Sequence, residues 1–209
     1  MQARRAQESQ PASAQEAPVG ADDLLLDPSG FPDPGRPRYC ARCGAALEER
    51  ERGGRRRPVC PRCGWTYYAK NAIGAAVLIE RPAVAGAGKE VLLVQRAHEP
   101  YRDWWMLPAG FVEYGERAEA TAVREAREEC GIEVRLDGLF GVYFGTDDPR
   151  NPSYLLVYRA HPVDEGATLV AGDDARALGW FAAGALPERI AFEGHRQALA
   201  DWQRSARPR

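Results

Sequence analysis

The spacing of three glutamates in one predicted helix constrains this chain more than any other feature of its sequence. The segment ERAEATAVREAREEC, residues 116–130, is predicted to be helical, and the glycine directly after it suits a left-handed helix cap. At about 100° per residue, Glu125, Glu128 and Glu129 share an arc of about 100°. The adjacent arc is small and apolar, which would let the helix lie close to a sheet, and it consists of Ala118, Ala122, Val123, Ala126 and Cys130.

Three carboxylates beside a buried face predict a bound cation. Like charges that crowd one another destabilise a helix unless a cation neutralises them. A set of oxygen ligands favours Mg²⁺ or Mn²⁺ over zinc. A charge-rich helix is also a common solvated face, so the three glutamates alone leave both interpretations open.

Four of the five cysteines have the spacing of a zinc ribbon. Two residues separate Cys40 from Cys43 and Cys60 from Cys63, and sixteen residues lie between the two pairs. Two such knuckles present four thiolates tetrahedrally to zinc, and four thiolates leave no open position for a substrate. A structural Zn²⁺ site is therefore predicted. The fifth cysteine, Cys130, is expected to be a free thiol.

Positive charge is concentrated between the cysteine pairs, in the segment ERERGGRRRP. The segment could be a phosphate-contacting hairpin tip, since zinc ribbons can bind nucleic acid. A solvated turn is the favoured interpretation, because the whole chain carries a net charge of -2 and no aromatic residue is interleaved there. The arginines are Arg50, Arg52, Arg55, Arg56 and Arg57.

Composition divides the chain into three parts. Residues 1–36 are rich in Ala, Gln, Pro and Gly and are predicted to be a disordered tail. The ribbon is assigned to residues 37–69, and intermingled strand-like and helix-like runs assign one α/β domain to residues 70–206. The chain has no apolar stretch of about 18 residues and its N-terminus lacks a signal core, so we expect a cytoplasmic protein with no membrane partner. Strands are predicted at 72–80, 90–97, 139–145, 153–160 and 177–182, and a second helix at 195–205.

The acidic helix belongs to a longer pattern. From Gly110, five residues lead to Glu116, and seven more lead to the run Arg-Glu-Ala-x-Glu-Glu-x-Gly-Ile at 124–132. This arrangement resembles the signature of the Nudix hydrolases, and the resemblance extends from about residue 72 to residue 202. It implies that the domain is a Nudix α/β/α sandwich with a mixed sheet, in which the signature forms a loop and helix that bind Mg²⁺ or Mn²⁺. The preceding ribbon resembles that of the Nudix branch containing NADH, ADP-ribose and flavin-nucleotide pyrophosphatases.

The resemblance implies roles for the matching residues of the helix. Glu125 and Glu129 would be the main metal ligands, and Glu128 would complete the cluster or hold a water. Arg124 would orient a glutamate by ion pairing, which makes these four residues the predicted catalytic group. Glu116 would open the helix at the positive end of its dipole and contribute to a second metal.

The resemblance also implies how the reaction would proceed. The backbone carbonyl of Ala109 would be a further metal ligand. The cations would neutralise a diphosphate and activate a water that attacks one phosphorus in line. The proton acceptor is left open between a glutamate of the helix and an acid on a late loop, Asp173 or Asp174, for which a simple turn is an equally good interpretation.

Substrate contacts are predicted from residue type and position. Arg96 is expected near the phosphates, and Trp105 is expected to pack beneath the signature loop. Five aromatic residues are candidates for stacking on a base: Trp104, Tyr114 and Tyr143, with Tyr101 and Phe144. Any one such ring is more often a core residue than a substrate contact.

ADP-ribose is the favoured substrate among nucleoside-diphosphate derivatives, and it would be cut to AMP and a phosphorylated product. The stretch VYFGTDDPRNPSYLLVY departs from the SQPW-type motif of NADH pyrophosphatases, so NADH, an NAD cap or FAD is the alternative. A non-catalytic nucleotide-sensing module, with the ribbon bound to nucleic acid or protein, is a further alternative that the intact acidic set disfavours. A homodimer with the ribbon at its interface is a hypothesis that a monomeric mass would exclude.

Overall fold

The computed structural model describes residues 36–83, 88–148, 152–172 and 174–206. The predicted tail lies outside these residues apart from Arg36, and so does Asp173. The predicted domain boundaries, after residues 36 and 69, stay predictions. None of the described helices is long and apolar enough to cross a membrane.

A two-stranded antiparallel hairpin lies between the two cysteine pairs. Strand β1 spans Glu48–Arg52 and strand β2 spans Arg55–Val59. Gly53 and Gly54 form the turn with φ of 59° and 72°, in the left-handed region that glycine adopts without a side-chain clash. The favoured interpretation made the whole arginine-rich segment a solvated turn. In the structure the turn is limited to these two glycines, and the arginines lie on the two strands.

Across the described residues after the hairpin, the structure contains seven further strands and two helices. The helices are α1 at Ala118–Cys130 and α2 at Glu193–Ser205. The strands are β3 at Ala72–Pro82, β4 at Lys89–Arg96, β5 at Trp105–Met106, β6 at Ala109–Phe111, β7 at Val134–Gly145, β8 at Ser153–Pro162 and β9 at Ala175–Ala182.

Strand β3 is the centre of one mixed sheet. The main path through the sheet is β5-β4-β3-β8-β7, with β6 paired to β3 and β9 paired to β4. The β3–β8 pair is parallel and the other pairs are antiparallel, so the predicted mixed sheet is confirmed. The first half of β3 pairs with β6 and its last residues pair with β4, so this long strand joins the two parts of the sheet.

Alternate side chains of β3 enter two separate cores, one on each face of the sheet. Ala75, Val77 and Ile79 pack with the small apolar arc of α1, where Ala122, Ala126 and Cys130 are completely buried. On the opposite face, Ala76 and Leu78 pack with the α2 residues Ala198, Leu199 and Trp202. Helices thus cover both faces, which confirms the predicted α/β/α sandwich.

The two ends of α1 differ in how well the sequence predicts them. The helix begins at Ala118 because Arg117 has extended backbone angles, so Glu116 precedes the helix and does not open it. At the other end, Gly131 adopts the predicted left-handed cap with φ of 70°, and its N–H donates to the carbonyl of Arg127.

Trp202 anchors α2 to the sheet by packing and by one buried hydrogen bond. Its indole is completely buried, and its Nε1–H donates to Oε1 of Glu80 at 2.8 Å. Oε2 of the same glutamate accepts from Nζ of Lys89 at 2.9 Å. The tryptophan therefore joins the α2 core to an ion pair on β3 and β4.

Replacing Trp202 should separate these two contributions. We expect Trp202→Ala to lower the free energy of unfolding by about 3–5 kcal/mol, through lost burial and a cavity. Trp202→Phe should lower it by about 2–3 kcal/mol, because a six-membered ring is kept while the pyrrole part of the indole and its hydrogen bond to Glu80 are lost. Urea denaturation measures both values. Tyr114→Ala, at a fully exposed ring, is the control and should change the free energy by less than about 0.5 kcal/mol.

Candidate active site

A cavity of about 400 Å³ opens at the edge of the sheet where β3 and β8 begin and β4 and β7 end. Strand residues on its wall include Gly74, Arg96, Gly145 and Ser153. Helix α1 contributes Arg124, Glu125 and Glu129, and the start of α2 contributes Gly194 and His195, with Phe192 just before the helix. The cavity therefore lies at one edge of the sheet between two helices that cover opposite faces.

Arg124 ion-pairs with three glutamates. Its Nε lies 3.0 Å from Oε1 of Glu116, and its Nη1 lies 2.6 Å from Oε1 of Glu125 and 2.8 Å from Oε2 of Glu128. Hydrogen bonds from Arg124 and from the hydroxyl of Thr121 lower the pKa of Glu116 to about 2. The same glutamates raise the pKa of Arg124. One guanidinium thus fixes the directions of three carboxylates.

Glu129 is the carboxylate that this arginine does not reach. Burial raises its pKa to about 8, and the nearby charges of Glu125 and Asp174 add to the increase. The backbone N–H of Ala109 donates to its Oε2 at 3.0 Å and acts in the opposite direction. Burial also raises the pKa of Glu125, against the lowering effect of Arg124. Two buried carboxylates therefore face one cavity with incomplete charge compensation.

Gly110 leaves the space that Glu125 occupies. A Cβ on Gly110 would lie 1.9 Å from Oε1 of Glu125, far inside any permitted contact. Glycine at residue 110 is thus needed for the Glu125 carboxylate to keep its position against strand β6.

The acidic groups fit a hard divalent cation in charge and in donor type. Glu125 and Glu129 offer only oxygen atoms, and a cation between them would offset the cost of burying two like charges. Within the described part of the chain, their oxygens do not belong to any group of three ligand atoms within 4.8 Å of one another. The ion pairs of Arg124 account for this spread, since they draw Glu116 and Glu128 to the guanidinium.

The four paired cysteines do form such a compact group. Their sulfur atoms lie within 4.8 Å of one another, with 3.6 Å between Cys40 and Cys63 and 3.5 Å between Cys43 and Cys60. Zn–S bonds of about 2.3 Å in a tetrahedron place the sulfurs about 3.8 Å apart. The predicted four-cysteine cluster of a small zinc ribbon is therefore confirmed.

Only one of the four predicted substrate contacts lies on the cavity. Arg96 lines it, with the guanidinium 4.9 Å from the ring centre of Phe192. The other three residues are not among those that line it. Tyr143 is a core residue whose hydroxyl donates to Asp201, Trp104 packs against Tyr101, and Tyr114 is fully exposed before α1.

The remaining predicted site residues are placed as follows. Ala109 and Asp174 line the cavity, whereas Glu116 and Glu128, which ion-pair with Arg124, do not. Trp105 packs edge to face on Phe181, with 4.9 Å between the ring centres of the two residues. Phe144 packs on Tyr154, a cavity residue, with the ring centres 4.9 Å apart.

The segment before β9 is hydrogen-bonded to the end of α1. The N–H of Val170 donates to the carbonyl of Cys130, and the N–H of Gly172 donates to the carbonyl of Glu129. A Cβ on Gly172 would lie 1.9 Å from the carbonyl oxygen of Glu128, so this contact requires glycine. The same contact brings Asp174 to the cavity.

His195 is a cavity residue to which the sequence assigned no role. Its Nδ1 is buried and has no hydrogen-bond partner among the described residues. Burial lowers the pKa of His195 to about 3, and the charge of Arg96 acts in the same direction, so the ring is neutral. His195 precedes Ala198, Leu199 and Trp202 at helical spacing, a pattern that predicts a core residue.

Comparison with known proteins agrees with this geometry. Residues 70–202 match the NUDIX domain family. The chain is 37% identical over 129 residues to an ADP-ribose pyrophosphatase of Methanocaldococcus jannaschii, covering 59% of this chain and 74% of that protein. It is 34% identical over 152 residues to an NAD-capped RNA hydrolase NudC of Pseudomonas aeruginosa, covering 72% of this chain and 49%, about half, of that protein.

A solved structure extends the comparison to the fold. The crystal structure of a NUDIX hydrolase from Nitrosomonas europaea matches with a TM-score of 0.68 and 27% identity, over 80% of this chain and 91% of that one. The family match spans well over half of the chain and includes the whole acidic pattern. Nudix hydrolases use divalent metals, which suits the oxygen ligands of the cavity. The chain therefore belongs to the Nudix hydrolase family.

Proposed function

We propose that this protein hydrolyses the diphosphate linkage of a nucleoside-diphosphate derivative, with ADP-ribose as the favoured substrate and AMP plus a phosphorylated product. The observation that carries the proposal is the pair of buried carboxylates, Glu125 and Glu129, on a cavity of about 400 Å³. A relative named ADP-ribose pyrophosphatase, 37% identical to this chain, supports the choice of substrate.

NADH, an NAD cap or FAD is the alternative substrate. The Pseudomonas relative named as an NAD-capped RNA hydrolase favours this alternative, although only 49% of that protein is covered. Against it stands the stretch at 142–158, which lacks an SQPW-type motif. The two substrate classes share the diphosphate, so the same acidic residues would serve both.

Mg²⁺ or Mn²⁺ is the proposed catalytic cation, held by Glu125 and Glu129 with the carbonyl of Ala109. When bound, it neutralises the diphosphate and makes a water molecule more acidic. Arg124 keeps Glu125 directed toward the cavity through the 2.6 Å contact, and Glu116 and Glu128 in turn hold Arg124. These last two residues are then positioning residues.

Asp174 is the proposed proton acceptor. It lines the cavity, it interacts electrostatically with both Glu125 and Glu129, and the ion pairs of Arg124 leave it uninvolved. Arg96 lies on the same cavity and interacts electrostatically with Glu129 and with His195, which suits a group that contacts the phosphates. Zn²⁺ is the proposed occupant of the cysteine cluster, where it would stabilise the ribbon and take no part in hydrolysis.

The first test is a hydrolysis panel with the zinc-loaded protein and Mn²⁺ or Mg²⁺. The panel contains ADP-ribose, NADH, NAD, FAD and a short NAD-capped RNA, with products separated by chromatography. We expect AMP from ADP-ribose with the highest kcat/KM. Glu129→Gln should lower kcat at least about 100-fold, because a neutral amide is a poor ligand for a hard cation.

Glu119→Gln is the matched control for this variant. Glu119 lies in the first turn of the same helix, outside the cavity, and its substitution should leave kcat within about 2-fold. Asp174→Asn should lower kcat with little effect on Mn²⁺ affinity if Asp174 accepts the proton. A folded protein without activity on any member of the panel would favour a non-catalytic nucleotide-binding module.

Metal binding should depend on pH through Glu129. Its pKa is raised from an ordinary 4.5 to about 8, so folding favours the protonated acid. The protonated Glu129 therefore stabilises the folded state fully below pH 4.5, and this contribution to the free energy of unfolding is lost as the pH rises toward 8. Mn²⁺ takes the place of this proton, so the increase in melting temperature caused by Mn²⁺ should grow over the same range.

Thermal unfolding with and without Mn²⁺, from about pH 5 to pH 9, measures this effect. In Glu129→Gln the side chain does not titrate, so the variant should gain stability relative to the metal-free wild type as the pH rises. Glu119→Gln should follow the wild type. Parallel curves for the wild type and Glu129→Gln would show that Glu129 is already ionised in the metal-free protein.

His195 lines the cavity and its Nδ1 has no hydrogen-bond partner within the described residues, so we expect a bound substrate to supply that partner. We expect His195→Leu to raise KM about 3- to 10-fold, the value of one hydrogen bond, with kcat little changed. The free energy of unfolding of the ligand-free variant should stay equal or increase, because a buried polar atom without a partner is removed. His195→Asn offers a polar atom near the same position and should recover part of the lost affinity. An unchanged KM with lower stability would identify His195 as a core residue only.

A further inference from the structure

Positive charge is concentrated in the zinc ribbon. Residues 37–69 contain eight arginines and three glutamates, a formal charge of +5, whereas the whole chain carries -2. The other residues therefore carry -7 in total. The slightly acidic chain thus contains a strongly basic part, and the whole-chain charge is a poor guide to what the ribbon attracts.

The hairpin arranges four of these arginines on one face. Residues directly opposite each other in an antiparallel pair project from the same side of the sheet. Arg50 is opposite Arg57, and Arg52 is opposite Arg55, so these four side chains form one surface, the basic face. By the same alternation, the other face carries Glu49, Glu51 and Arg56.

Within the described residues, carboxylates neutralise little of the charge on the basic face. Opposed like charges destabilise a strand pair, and this hairpin contains two such pairs. Among the described residues, only Arg50 of the four has a carboxylate partner, Glu48 at 2.8 Å, and both side chains are exposed. A polyanion bound to this face would remove the repulsion that the hairpin otherwise bears.

An exposed aromatic ring lies beside these arginines. The segment after the second cysteine pair returns along β2, where Thr66 pairs with Val59 and the N–H of Tyr67 donates to the carbonyl of Pro58. Tyr68 is thereby placed next to Arg57, whose guanidinium lies 4.7 Å from the ring centre. The ring remains 55% exposed, which leaves it able to stack with a further group.

We propose that the basic face and Tyr68 together form a binding surface for single-stranded nucleic acid. Arginines contact the phosphates, and an unpaired base stacks on the tyrosine, a combination typical of surfaces that bind single strands without sequence preference. The exposed ring favours a nucleic acid over an acidic protein, and the need for an unstacked base favours a single strand over a duplex. RNA and DNA share this chemistry. The inference does not rest on the proposed hydrolysis.

The test uses the zinc-loaded full chain and a fluorescent single-stranded RNA of about 20 nucleotides with a 5′-hydroxyl, which offers no diphosphate to the cavity. Fluorescence anisotropy between 50 and 200 mM salt gives the affinity and its salt dependence. Arg55→Ser should weaken binding at least about 3-fold and reduce the slope of log K against log salt by about 0.7. Tyr68→Ala should weaken binding at least about 5-fold with little change in slope.

Arg56→Ser is the matched control, because it removes the same charge from the next residue on the opposite face. It should leave the affinity and the slope close to those of the wild type, with zinc content and hydrolysis unchanged in all variants. DNA of the same sequence should bind comparably, and a duplex more weakly. The inference is wrong if Arg55→Ser and Arg56→Ser are equivalent, if the RNA does not bind at 50 mM salt, or if poly-glutamate competes as well as unlabelled RNA.

Discussion

The electrostatic balance around Arg124 is the constraint on which the rest of the site depends. One guanidinium neutralises Glu116, Glu125 and Glu128 in part, whereas the hydrogen-bond donor to Glu129 within the described residues is the backbone N–H of Ala109. Carboxylates that lie close together in the chain therefore titrate in opposite directions, with the pKa of Glu116 lowered to about 2 and that of Glu129 raised to about 8. The difference is due to burial and partners, and it makes Glu129, on the cavity, the carboxyl group whose ionisation the protein compensates least.

The topology of the sheet explains why the cavity lies between two helices on opposite faces. Strand β3 is parallel to β8 and antiparallel to β4, so the starts of two strands meet the end of a third at one edge. One face of α1 and the first residues of α2 lie beside that edge. The hydrogen bonds from residues 170 and 172 to the end of α1 then fix the segment before β9, and with it Asp174, relative to the carboxylates.

Local periodicity predicted the parts of the protein that depend on neighbours in the chain. The acidic arc of α1, its glycine cap and the cysteine knuckles are all set within a few residues, and the structure contains each of them. Strands β5 and β6, of two and three residues, were not predicted because tertiary pairing alone defines such short segments.

Contacts between distant segments could not be predicted in the same way. Residue type alone does not show which aromatic ring lies on the cavity. Tyr143 is in the core and Phe192 lines the cavity, although both are aromatic residues in segments of mixed polar and apolar composition. His195 follows the spacing of a core residue but faces a cavity formed by other segments. The contact between Tyr68 and Arg57 could not be predicted either, because it forms through the pairing of a third segment with β2 and the stretch between the cysteine pairs contains no aromatic residue.

A substitution at Gly110 would change the position of one carboxylate in the cavity and leave the fold intact. A methyl group on that residue would collide with the tip of Glu125, a flexible side chain that can turn away without disturbing the sheet. The fold and the nucleotide-sized cavity would survive, and the carboxylate would leave its position. If Glu125 holds the catalytic cation as proposed, one added carbon atom would abolish turnover and leave a cavity that still accepts the ligand.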